Sequence, residues 1–226
     1  DNRRFYDSPA VALLRTNAGG DLMIALTSGY RESPGSTTTQ EKVIFFRDVG
    51  AWNIIPPVRP VLGMADLAVL PATGALTEAA MLMPGWQMDL QRPLGEKGMG
   101  TPVFFNFALL FSTYVPKGVI SDLACAPDIG FSRLYAMNAL TGAGIVNDEL
   151  DNASENQRYI DEAMPGLGST VQMLYMDGQL TVLAGTLAIA TKSDDDKKGL
   201  EDDDSDLLNA GVMGSVSRMR WYEVNE

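Results

Sequence analysis

The chain has 226 residues, 46% of them hydrophobic, enough to bury a sizeable core in one large or two small domains. Its 29 acidic residues outnumber 17 basic ones, and the net charge of -12 repels a polyphosphate backbone, so nucleic acid is not an expected partner. Histidine is absent and Cys125 is the single cysteine, which excludes Ser-His-Asp and Cys-His catalysis, histidine-ligated metal, an internal disulfide and any multi-thiolate site.

The N-terminus, Asp1-Asn2-Arg3-Arg4-Phe5-Tyr6, has neither an initiator Met nor the apolar stretch of a signal peptide, and reads as the start of a mature, proteolytic or otherwise partial piece of a longer chain. From there, 22 Gly and 12 Pro fall between short apolar runs, the pattern of a turn-rich β fold. The first runs are residues 10–14, a Gly19-Gly20-Asp21 turn, residues 22–26 and residues 43–48. Thr37, Thr38 and Thr39 read as an exposed loop. A Pro-rich insertion, residues 53–85, follows, with a short helix expected over 77–83, where Thr77 and Glu78 suit a helix start. Residues 85–90 read as an outer strand.

Asp89 and Glu96 flank a strand end and are a candidate acid-base pair of the glycosidase kind, although a surface rich in carboxylates offers many such pairs. Gly95-Glu96-Lys97-Gly98 lacks the Gly-Lys-Ser/Thr ending and the strand-to-helix setting of a phosphate loop. The second group of runs is residues 102–105, 108–114 and 133–138, with an outer strand at 144–146. Residues 151–163 are polar, and Ser154 suits the cap of a helix running through Arg158 to Ile160. The third group is residues 171–176, an Asp177-Gly178 turn, residues 180–184 and residues 218–224. Arg218 and Arg220 alternate with apolar residues on that last strand and form no basic patch.

One four-stranded unit is therefore expected three times, at about 9–90, 101–147 and 170–225, a spacing of roughly 70 residues. The fold class this implies is all-β, a partial β-propeller of about three antiparallel blades with long loop insertions and short helices. Three units fall short of the roughly four to eight blades that close a ring. Phe45, Phe46, Tyr135, Trp221 and Tyr222 occupy equivalent positions in the three units and read as packing between blades. The apolar stretches 103–111 and 173–190 are interrupted by Asn106 and by Asp177-Gly178-Gln179, so none reaches the length of about 18 residues that a membrane span needs.

The acidic run from Asp194 to Asp206 holds the candidate metal ligands. Asp202, Asp204 and Asp206 stand at the first, third and fifth places of a calcium loop, but Leu207 occupies the sixth, where Gly belongs, and Met213 the twelfth, where Glu belongs. Otherwise the run reads as a solvated acidic loop over 193–209. No catalytic residue and no cofactor site is assigned.

Several short motifs, taken in order, resemble the PilC/PilY family of large proteins at the tip of type IV pili. They are Arg3-Arg4-Phe5-Tyr6 through Ser8-Pro9 and Val11-Ala12-Leu13, then Leu26-Thr27-Ser28-Gly29-Tyr30-Arg31 and residues 43–48. The series continues with Gly85-Trp86, Asp89-Leu90, Gly95-Glu96-Lys97, residues 111–116, Cys125-Ala126-Pro127 with Gly130, Arg133-Leu134-Tyr135-Ala136 and Trp221-Tyr222-Glu223. Thr27 departs from the family, which has Gly there, as does the lack of a His after Tyr30-Arg31 and of a second Cys for Cys125.

The resemblance implies the C-terminal part of that family's propeller, in a non-enzymatic protein exported through the periplasm of a Gram-negative cell. Its expected place is extracellular, at the pilus tip or outer-membrane surface. Its expected work is pilus assembly, control of retraction, and adhesion through loops 53–85, 121–131, 151–168 and 193–209. The implied partners are minor pilins or tip subunits, the upstream part of the same protein, and a host or abiotic surface. The family's calcium loop lies upstream, so calcium belongs elsewhere in the parent protein. A different class, a periplasmic quinoprotein-like propeller dehydrogenase, is the alternative reading, and it needs a complete ring around its cofactor.

Overall fold

The computed structural model describes residues 3–16, 19–51, 61–90, 95–116, 130–146, 157–176, 179–184 and 187–190. They form an all-β fold of three sheets. The first has the order β1-β2-β3-β5-β4, with β1 Ala10–Thr16, β2 Gly19–Thr27, β3 Lys42–Asp48, β4 Ala68–Val69 and β5 Gly85–Asp89. Strands β1, β2, β3 and β5 make the expected antiparallel meander, and the two-residue β4 adds in parallel at the far edge.

The second sheet has the order β6-β7-β8-β9, with β6 Lys97–Phe105, β7 Ala108–Val115, β8 Phe131–Asn138 and β9 Tyr159–Pro165. Strand β6 begins at Lys97, five residues before the expected 102, and an irregularity between Met99 and Val103 absorbs Gly100 and Pro102. Asn106 and Phe107, both at positive φ (44° and 65°), close the β6–β7 hairpin in two residues. Phe107 tolerates that strained backbone because its ring packs on the core between the first two sheets.

The outer strand of the second sheet is a correction. Residues 144–146 contribute only isolated bridges, Gly144 to Met137 and Val146 to Gln157. The fourth strand of the second sheet is β9, Tyr159–Pro165, in the stretch read as a helix. Tyr159 pairs with Tyr135 and Ile160 with Leu134, so the ring and the β-branched side chain gain more from the flanking cores than from a local helix. Ser154 lies outside the described residues.

The third sheet is β10 Gln172–Met176, β11 Gln179–Ala184 and β12 Leu187–Ala190, in that order. Its third position is filled by β12 directly after β11, whereas residues 218–224, expected there, lie outside the described residues.

The sheets pack in series. Between the first and second lie Met23, Ala25, Val43, Phe45, Trp86, Met88, Leu109, Phe111, Tyr135 and Met137. Between the second and third lie Leu110, Leu134, Ala136, Val171, Val182 and Ala184. Alternate residues of β7 and β8 thus face opposite cores, which is why the second sheet reads as nearly continuous apolar runs. Phe45 stacks on Trp86 of its own sheet at 5.5 Å between ring centroids and meets Phe104 of the second sheet edge-on at 6.3 Å, the latter being the packing between units expected of it. The short helix exists as α1, Glu78–Met81, capped by Thr77 Oγ1, which accepts from Ala80 N at 3.3 Å. Among the described residues, no helix is long and apolar enough to cross a membrane.

Candidate functional site

The densest group of polar side chains lies where the ends of β2 and β3 meet β6. The chain leaves β2 at Ser28-Gly29, and Gly98 N donates to Ser28 O at 2.9 Å. This approach requires two glycines. A Cβ on Gly29 would sit 2.6 Å from Gly98 O, and one on Gly98 would sit 2.5 Å from Thr27 Cβ. Glu41, fully buried just before β3, accepts from Ser28 Oγ at 2.6 Å and from Tyr30 N at 2.9 Å, while Lys42 N donates to Ser28 Oγ at 2.8 Å. Arg31 pairs with Asp7 and reaches Gly98 O through Nε at 3.4 Å.

Lys97 opens β6 with 2% of its surface exposed, and its Nζ donates to Ser36 O at 2.5 Å and Gly95 O at 2.7 Å. Burial pushes the Lys97 ammonium below its ordinary value, and the charge of Glu41 offsets part of the fall. Glu96 points to the second sheet. It accepts from Thr113 Oγ1 at 2.5 Å, Tyr135 Oη at 2.9 Å and Arg133 Nη1 at 2.9 Å. Burial raises the Glu96 carboxyl above its ordinary value, and Arg133 and the two hydroxyls pull against the rise. Arg133 turns its Nε to Asp161 Oδ1 at 2.7 Å. Burial opposes its charge, yet the bond to Asp161 and the charge of Glu96 hold the guanidinium protonated. Burial pushes the Tyr135 phenol well up, and Glu96 beside it adds to the shift.

Chemically, the cluster is spent on itself. Glu96 is completely buried and each of its three donors belongs to a strand of the second sheet. Asp89, its suggested acid-base partner, pairs with Lys42, so the two carboxylates serve different cations. Among the described residues, no three His, Cys, Asp or Glu side chains gather so as to hold a metal ion. Asp202, Asp204, Asp206, Cys125, Trp221 and Tyr222 lie outside the described residues.

Sequence reasoning placed Ser28 with Arg31, Glu96 with Lys97, Thr113 and Arg133 in four separate motifs; the fold brings Ser28, Arg31 and Lys97 to the seam between the first two sheets and joins Glu96 to Thr113 and Arg133 beside it. It gave no role to Glu41 or Arg158. The available signal was a charge set inside an apolar strand, as with Arg133 before Leu134, or against its start, as with Glu41 and Lys42 before Val43.

Parts of two of the four expected loops are scaffold: Leu67, Ala68, Leu70 and Leu76 of residues 61–83 are buried, and residues 159–165 are β9. Among the described residues of the first loop, Val61, Val69 and Leu82 are the strongly exposed apolar side chains, at 96%, 69% and 86%.

No protein-family model matches the sequence, and no curated protein matches it. Among solved structures, the C-terminal domain of Pseudomonas aeruginosa PilY1 matches with a TM-score of 0.54 at 11% sequence identity. The match covers 82% of this chain and 44% of that one, so the present chain corresponds to less than half of the PilY1 domain. Over that span, the chain has a PilY1-like fold.

Proposed function

We propose that this chain is part of a non-enzymatic type IV pilus protein and serves pilus assembly and adhesion as the C-terminal portion of a β-propeller. The observation that carries this reading is the PilY1-like fold over 82% of the chain, in a sequence whose motifs follow the PilC/PilY order. A second consideration supports it: the buried charged side chains Glu96 and Arg133 are consumed by contacts among the strands of the second sheet. What remains for recognition are loop surfaces, including the exposed Val61, Val69 and Leu82. On this reading, the protein is exported and acts at the pilus tip or outer surface, with pilus subunits, the rest of its own chain and a host or abiotic surface as partners.

The test is deletion of residues 3–190 from the parent protein in the bacterium that makes it, with secretion of the remainder checked by immunoblot. Loss of surface pili or of adhesion is expected. Normal piliation and adhesion contradict the reading, and quinone absorbance in the purified parent protein favours the dehydrogenase alternative instead.

A further inference from the structure

Residues 61–83 lie between β3 and β5 in the chain and reach across to the second sheet. Both sheets hold them. Leu70 N donates to Gln87 O of β5 at 2.9 Å, and Gln87 Nε2 donates to Met64 O at 2.7 Å. On the other side, Leu76 N donates to Thr141 O at 2.8 Å, in the turn that follows β8. The Leu70 side chain sits on Gly142, where a Cβ would fall 2.1 Å from Leu70 Cδ1.

Arg158 closes the arrangement. Only 8% exposed, it donates from Nε to Gly142 O at 2.8 Å, from Nη1 to Pro71 O at 2.6 Å and Ala72 O at 3.2 Å, and from Nη2 to Gly74 O. Each acceptor is a backbone carbonyl, three from residues 71–74 and one from the turn beneath them. A rigid planar fork with five N–H donors suits four converging carbonyls in a way that no other side chain does. The charge is solvated by dipoles alone here, and burial pushes the guanidinium below its ordinary value.

We infer that residues 61–83 are a strap that opens as a unit, that Arg158 is the latch holding it closed, and that the closed strap covers the apolar seam between the first two sheets. Ala68, Leu70 and Leu76 are the strap's share of that core, packed with Trp86, Met88, Met137 and Ala139. Opening the strap detaches the two-residue β4 from β5 and uncovers those side chains, while the β1-β2-β3-β5 and β6-β7-β8-β9 ladders stay paired, because the latch touches carbonyls of the strap and the 142 turn and none within a strand.

The experiment is amide hydrogen exchange on the full chain, read by mass spectrometry, for wild type, Arg158→Ala and Arg158→Lys. In Arg158→Ala, the amides of Leu70 and Leu76 exchange at least about tenfold faster while those of β7 keep their protection, since the loss of bonds to a buried charge is confined to the strap. Arg158→Lys, with a single ammonium, gives an intermediate rate. Methylguanidinium chloride at low millimolar concentration restores slow exchange to Arg158→Ala, and sodium chloride at equal ionic strength does not. Three results overturn the inference: unchanged strap protection in Arg158→Ala, equal loss of protection across β7 and the strap in both variants, or rescue by sodium chloride as effective as rescue by methylguanidinium.

Discussion

Two junctions in the molecule are made by opposite means. At one, inside the second sheet, side chains answer side chains: Glu96 takes donors from Thr113, Tyr135 and Arg133, and Arg133 reaches on to Asp161. At the other, an apolar surface built on Trp86, Leu70 and Leu76 is closed by the carbonyl cage around Arg158, with Trp86 Nε1 donating to Ala139 O at 2.7 Å. The first junction depends on the identity of every partner, because each buried charge left alone carries its full desolvation cost. The second depends on backbone shape, apolar area and the buried Arg158 charge received by backbone carbonyls, so changes away from Arg158 and its carbonyls loosen it without stranding a charge. The first therefore ties the strands of the second sheet to one another, and the second sets how tightly the seam between the first two sheets is covered.

The largest effect is expected from Arg133→Met, which leaves Glu96 buried without its cation. A loss of about 3–5 kcal/mol in urea unfolding is predicted, the range for breaking a buried pair on one side. A loss below about 1 kcal/mol would mean that the junction is not specified by its charges.

Tyr135→Phe comes next, at about 1.5–3 kcal/mol near neutral pH for a lost bond to a charged acceptor. Its pH dependence separates the phenol from the rest of the cluster. Burial raises the folded phenol above its ordinary value of 10.0, so its contribution is intact below pH 10 and is lost as pH rises toward the folded value, because the unfolded chain ionises first. Wild type should fall about 1.4 kcal/mol per pH unit more steeply than Tyr135→Phe above pH 10, and the two curves should converge. Parallel curves would show that the phenol is not held neutral by burial.

The smallest effect belongs to the strap. Thr77→Ala removes the cap of α1 and should cost about 0.5–1 kcal/mol in urea unfolding, with faster amide exchange confined to the strap, residues 61–83. An effect as large as that of Arg133→Met would erase the contrast between the two junctions.

The residues show what the sequence made legible. Strands β1, β2, β3 and β5 could be read because apolar runs there are separated by Gly-Gly-Asp and by the Gly85-Trp86 start. The start of β6 was hidden because Lys97, Gly98 and Gly100 resemble a turn until the close approach to Ser28 is known. Strand β9 was hidden for a related reason. Arg158 just before it and Asp161 within it interrupt the apolar run, and their use is visible only once the carbonyl cage and Arg133 are placed beside them. The seam was named motif by motif but not as a site, since Glu96 and Arg133 stand 37 residues apart and only the β6-β7-β8 order makes them neighbours.

The claim on which the rest depends is that the charged seam is scaffold and takes no part in recognition or chemistry. Its most direct test is the parent protein carrying Glu96→Gln with Arg133→Met. This double change removes both charges and keeps an amide oxygen at position 96 to accept from Thr113 and Tyr135. Folding of the chain is confirmed by circular dichroism, and surface pili are counted in the bacterium that makes the protein. The account predicts a folded chain and pili at wild-type number; a folded chain on cells without pili would contradict it.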